Sequence, residues 1–163
     1  MISASEALTK IQPDNAEYWI WFGIVQSTFA GVKGGLGALE FAENAREALE
    51  KALEINPDAL GGSAYTSLGT LYHKVPGWPI GFGSDKTAKK LLKKALEINP
   101  DGIDPNFFYG EFLYNKRKYK AAKKHLLAAK SAPERPNRPV ADAQRQKEID
   151  ELMKKVERKL KRS

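Results

Sequence analysis

The sequence predicts an all-α protein, a solenoid of three helical hairpins with inserted loops in the first two and a C-terminal capping helix. Three observations carry that prediction. Residues 49–58, Leu-Glu-Lys-Ala-Leu-Glu-Ile-Asn-Pro-Asp, return almost unchanged as Leu-Lys-Lys-Ala-Leu-Glu-Ile-Asn-Pro-Asp at 92–101, and self-similarity at a fixed period marks a repeat architecture. In each copy Leu, Ala, Leu and Ile fall at helical spacing before Asn-Pro stops the run, leaving Asp58 or Asp101 to cap the next helix. Small residues recur at matching places, Gly23, Gly69 and Gly110 in the first helix of each unit and Ala45, Ala88 and Ala122 at the start of the second. They let two helix backbones approach closely. At 163 residues and 42% hydrophobic content the chain reads as one domain, 1–163, with a continuous helical core.

The units are expected at about 13–56, 57–99 and 100–132. Residues 1–12 form a short leading helix or a frayed segment. In the first unit, Ala16 to Ala30 is a helix in which Tyr18, Trp19, Ile20, Trp21 and Phe22 are consecutive, so it must be covered on more than one side. A glycine-rich turn, residues 30–37, leads into a second helix from Ala38 to Ile55, with apolar positions at 38, 41, 42, 45, 48, 49, 52 and 53. The second unit has helices at about 63–73 and 86–98, the latter capped by Ser84 and Asp85. Between them lies Lys74-Val-Pro-Gly-Trp-Pro-Ile-Gly-Phe-Gly-Ser84. Its prolines and glycines fix the backbone, and Trp78, Ile80 and Phe82 are too apolar for a solvated loop. The loop is therefore expected to be ordered and to bury Trp78 and Phe82. The third unit pairs 103–115 with 119–131. A proline-rich linker, 133–139, precedes a capping helix, 140–161, whose Ile149, Leu152, Met153, Val156 and Leu160 lie at helical spacing.

These repeated features resemble the tetratricopeptide repeat family over roughly residues 13–133. The third unit has close to the family's usual length, while the first two are nine or ten residues longer. Residues 75–83, followed by Ala88 and the Asn-Pro run, are also similar to a group of bacterial, often exported, members. They are loosely similar to the periplasmic T component associated with tripartite (TRAP) solute transporters. The resemblance implies a scaffold or binding protein for protein–protein interaction and favours a periplasmic or envelope location. Some members clamp a terminal carboxylate with lysine and asparagine in the groove. The equivalent positions here are Ile20, Ile24, Thr66 and Thr70, so that clamp is absent.

The function read from the residues is non-catalytic binding. A concave groove lined by the first helices would use Ile20, Ile24 and Thr28, then Thr66, Thr70 and His73, then Phe107, Glu111 and Tyr114. The insertions would add Trp78 and Phe82, since insertions in repeat proteins collect on one face. A protein or peptide is the expected partner and a small molecule a possible ligand; an accessory role in solute transport is an alternative. No cofactor is expected. The two histidines, His73 and His125, stand in no metal or catalytic spacing. The absence of cysteine excludes a disulfide framework and a thiolate metal site.

Charge offers a further alternative. Residues 1–112 hold 10 basic and 14 acidic side chains and residues 113–163 hold 17 and 6, so the two stretches carry −4 and +11. The basic stretch is a candidate site for nucleic acid or an anionic membrane surface through Lys116, Lys120, Lys123 and Lys124. Lys33 beside the glycine-rich turn is a weaker anion candidate, because no phosphate-loop ending follows it. No apolar run is long enough to span a bilayer and no signal peptide is evident, so the chain as written is expected to be soluble.

Overall fold

A computed structural model describes residues 2–162. Those residues form eight helices: α1 Ile2–Ile11, α2 Ala16–Lys33, α3 Ala38–Ile55, α4 Ala59–Lys74, α5 Asp85–Ile98, α6 Ile103–Asn115, α7 Tyr119–Lys130 and α8 Pro139–Leu160. No strand occurs among them; the one β feature is an isolated bridge between Gly77 and Gly83. Met1, part of the expected leading segment, lies outside the described residues. The chain divides into two compact units, Met1–Ile98 and Asn99–Ser163.

The first unit holds two hairpins, α2 with α3 and α4 with α5, and α2 also packs on α1 and α4. Its core is built from alanine and leucine: Ala42, Ala45, Leu49 and Ala52 of α3 meet Ala16 and Ile20 of α2 and Ala64, Leu68 and Leu71 of α4. The small residues make these crossings close. A Cβ added at Gly23 would stand 2.6 Å from Leu49 Cγ, and one at Gly69 would stand 2.8 Å from Leu92 Cγ. In the second unit Gly110 faces Leu126 at 3.1 Å. Each leucine follows the repeat's alanine by one helical turn, so the repeated instruction is a glycine on the first helix and a leucine knob on the second.

The second unit pairs α6 with α7 and lays α8 across both. Ile149, Leu152 and Val156 of α8 are buried, as expected of a helix covering a last apolar face. The proline-rich stretch before α8 is held by side-chain chemistry. Arg135 donates to Asp142 through its backbone N at 2.8 Å and its Nε at 2.8 Å, and a third contact runs through Nη2. Arg135 Nη1 and Arg145 Nε also reach the two oxygens of Asp104, at 2.8 and 2.9 Å.

Several local expectations need correction. Asp58 occupies the residue before α4 but makes no side-chain capping bond; Asn56 Oδ1 instead accepts from Asp58 N at 3.0 Å, tightening the turn. Gly102, not Asp101, precedes α6. α2 continues three residues past Ala30, because the turn does not begin until Gly34 and Gly35 adopt φ of +63° and +60°. The start of the regular helix in α4 agrees with the sequence: Leu60, Gly61 and Gly62 have positive φ, so it begins at Ser63.

Candidate functional site

The α4–α5 loop closes on itself at its neck. Ser84 N donates to Tyr72 O at 2.9 Å and Gly83 N to Pro76 O at 2.9 Å. A Cβ on Gly83 would lie 1.8 Å from Val75 O, so only glycine lets the two loop strands meet there. His73 Nδ1 lies 2.9 Å from Asp85 Oδ1, joining the end of α4 to the start of α5. Phe82 packs edge-on against Tyr72, ring centroids 5.2 Å apart, under the Arg46 guanidinium, 4.4 Å from its ring centre.

Trp78 departs from the expectation. It is 90% exposed and Ile80 is 60% exposed, so the loop is anchored by Phe82 and its neck rather than by burial of Trp78. Hydrogen bonds and one aromatic ring suffice to order a stretch that proline already restricts, which frees the tip to project. Trp78→Ala should therefore leave stability within about 0.5 kcal/mol, as for other exposed positions. Phe82→Ala should cost about 2 kcal/mol, below the range for a fully buried phenylalanine because the ring is half-buried. Thermal melts of the two variants check both; equal losses would contradict the anchoring role of Phe82.

Of the proposed groove residues, Ile20, Thr66 and Phe107 are 0%, 4% and 5% exposed. Their side chains belong to the core and present no surface to a ligand, because neighbouring helices cover the face that sequence spacing turned toward a groove. Ile24 is half-buried, Thr28 exposed and Thr70 half-buried, on the adjoining helices α2 and α4. Thr28 Oγ1 donates to Ile24 O and Thr70 Oγ1 to Thr66 O, at 2.9 and 2.8 Å. Their hydroxyl protons are spent within the helix.

In the second unit Glu111 and Tyr114 are half-buried, and Tyr114 lies against Tyr119 with ring centroids 5.6 Å apart. Phe107 and Phe108 carry the Arg145 guanidinium, 4.7 and 4.5 Å from their ring centres. His125 is structural: its Nδ1 lies 3.0 Å from Asn106 Oδ1, while Asn106 Nδ2 donates to Pro100 O at 2.7 Å and Gly102 O at 3.0 Å. With that oxygen as acceptor, Nδ1 carries the imidazole proton. Burial, and secondarily Lys124, lowers the His125 pKa.

Among the basic candidates, Lys120 and Lys124 are exposed, whereas Lys123 Nζ reaches Glu157 Oε1 on α8 at 3.3 Å. Lys116 is exposed at the end of α6. Lys33 Nζ lies 5.2 Å from the centre of the Phe41 ring. No group of three potential metal ligands occurs among the described residues, and no described helix is long and apolar enough to cross a membrane.

One feature of the first unit had no counterpart in the sequence reasoning. An open cleft of about 620 Å³ is lined by Ile11 to Glu17 on one side and by Ile55, Asn56 and Ala59 on the other. It lies at the turn end of the hairpins, away from the inserted loops. The Gln-Pro-Asp and Asn-Pro-Asp turns mark its two sides in sequence, but their proximity comes only from packing.

Comparison with sequence families adds one match, to the tetratricopeptide repeat, over residues 39–59. The match is local, a similarity of that segment to the tetratricopeptide repeat. It spans α3 and the turn into α4, the segment whose wording recurs in the second hairpin. Tetratricopeptide repeats generally mediate protein–protein interaction or scaffolding and are typically non-catalytic. A search of curated proteins finds no match.

Proposed function

We propose that the protein is a non-catalytic binding module whose first unit holds a segment of a protein partner along the α2–α4 face. The observation that carries this reading is the pairing of the two first helices, α2 and α4, with Ile24, Thr28 and Thr70 left open along them. The hydroxyls are internally satisfied and no charged clamp is present at residues 20, 24, 66 or 70. Such a face favours an uncharged, largely apolar segment over a terminal carboxylate, which would lose its water without gaining a cation.

Peptides selected from a display library against the full chain test the reading. Thr28→Glu and Thr70→Glu should each weaken the selected binders about tenfold, or about 1.4 kcal/mol, while the protein stays folded by circular dichroism. Trp78→Ala should leave that affinity unchanged. Binders indifferent to both charged substitutions would refute the α2–α4 site.

A further inference from the structure

Two loops of the first unit carry apolar side chains into solvent at one end of its hairpins. Val32 and Leu36, flanking the α2–α3 turn, are 82% and 79% exposed, and Trp78 and Ile80 in the α4–α5 loop are 90% and 60% exposed. The loops are neighbours, since a Cβ on Gly81 would stand 3.2 Å from Leu39 Cδ2 in the first turn of α3. The second loop is braced at its neck by the Ser84–Tyr72 and Gly83–Pro76 hydrogen bonds and the His73–Asp85 contact. Concentrated exposed apolar surface of this kind marks an interaction site.

We propose that this rim docks on an anionic bilayer, with Trp78, Ile80, Val32 and Leu36 entering the boundary between headgroups and acyl chains. Charge supports a lipid surface. Residues 28–40 and 72–90 contain five lysines, Lys33, Lys74, Lys86, Lys89 and Lys90, against two carboxylates, Glu40 and Asp85. Lys86, Lys89 and Lys90 are exposed on α5, on the side opposite the buried Ala88, Leu92 and Ala95. Cations beside apolar anchors suit a membrane interface, where lysine meets acidic headgroups while the anchors insert. Shape points the same way. The apolar groups project from loop tips, so a protein partner would have to supply a pocket for each, whereas a bilayer receives protruding side chains directly. Tryptophan is also enriched at the headgroup level because its ring is apolar and its N–H polar.

Sedimentation of the full chain with vesicles of phosphatidylcholine, alone or mixed with phosphatidylglycerol, tests the proposal. Binding should require the anionic lipid and weaken with salt. The combined variant Trp78→Ala, Ile80→Ser should bind about tenfold less tightly, as expected for removing the anchors, with an unchanged circular dichroism spectrum and melting temperature. Brominated lipid should quench tryptophan fluorescence in the native protein, and Trp78→Phe should abolish that quenching. Absence of binding to mixed vesicles would overturn the proposal. So would full binding by the loop variant together with loss on reversing Lys116, Lys120, Lys123 and Lys124, which would move the contact to the second unit. Photo-crosslinking from position 78 to a protein, without vesicle binding, would equally reject lipid as the occupant.

Discussion

Leu49→Ala is expected to lower the unfolding free energy by about 3 kcal/mol, within the range of about 2 to 5 for truncating a buried leucine. Leu49 is fully buried, and its Cγ fills the space that a Cβ on Gly23 would need. The same buried cluster contains Ala16, Ala42, Ala45, Ala52 and Ala64, side chains with no rotamer freedom with which to refill a cavity. The same contact is sensitive from the other side. Gly23→Val should destabilise by about 2 kcal/mol or more through overpacking, since the collision at 2.6 Å involves a leucine itself locked in the core. Gly23→Ala combined with Leu49→Ala should cost less than the sum of the single changes, because the two residues share one space. Urea unfolding of the single and double variants measures this. Simple additivity would show that the glycine and leucine are not coupled.

Asp142→Asn is expected to cost about 2 kcal/mol at neutral pH, less than the 3 to 5 for breaking a fully buried pair because the Arg135 side chain remains 30% exposed. Asp142 is 6% exposed and accepts from both the backbone and the guanidinium of Arg135. The side-chain hydrogen bond from Arg135 is the main cause that holds its carboxyl below the usual carboxylate range, against the opposing effect of burial. A folded pKa below the unfolded value, about 3.9, means that the ionised group stabilises fully above that value and loses its effect as pH falls through the lowered one. The gap between native protein and variant should therefore be constant from neutral pH down to about 5 and shrink below about 4. A gap that persists undiminished in acid would assign the loss to packing instead.

The helices were legible because they rest on local signals. The recurrence of residues 49–58 at 92–101 located both second helices and their stops, and the proline at 139 marked the start of α8 within one residue. The groove was less legible. Ile20 and Thr66 were expected along the groove, yet they are buried, and spacing carries no information about which neighbouring helix will cover a face. The Trp78 loop misled for a related reason. Composition implied that its apolar residues would be buried, but Phe82 with three backbone and side-chain contacts at the neck is enough to order it, and Trp78 is left outside.

The sequence by itself determined the all-α hairpin architecture, the small residues that let the two helices of each hairpin approach closely and the concentration of positive charge after residue 112. All three follow from short-range periodicity or composition, which the chain carries wherever it folds. Tertiary structure alone decided that Asp104, Arg135, Asp142 and Arg145 form one ionic cluster, that Asn106 and His125 satisfy each other inside the second unit, and that Phe82 rather than Trp78 anchors the inserted loop. Asp104 lies 31 and 41 residues from Arg135 and Arg145, and Asn106 lies 19 from His125; such partners meet only after the helices pack, and packing direction depends on the summed fit of many side chains rather than on any one motif.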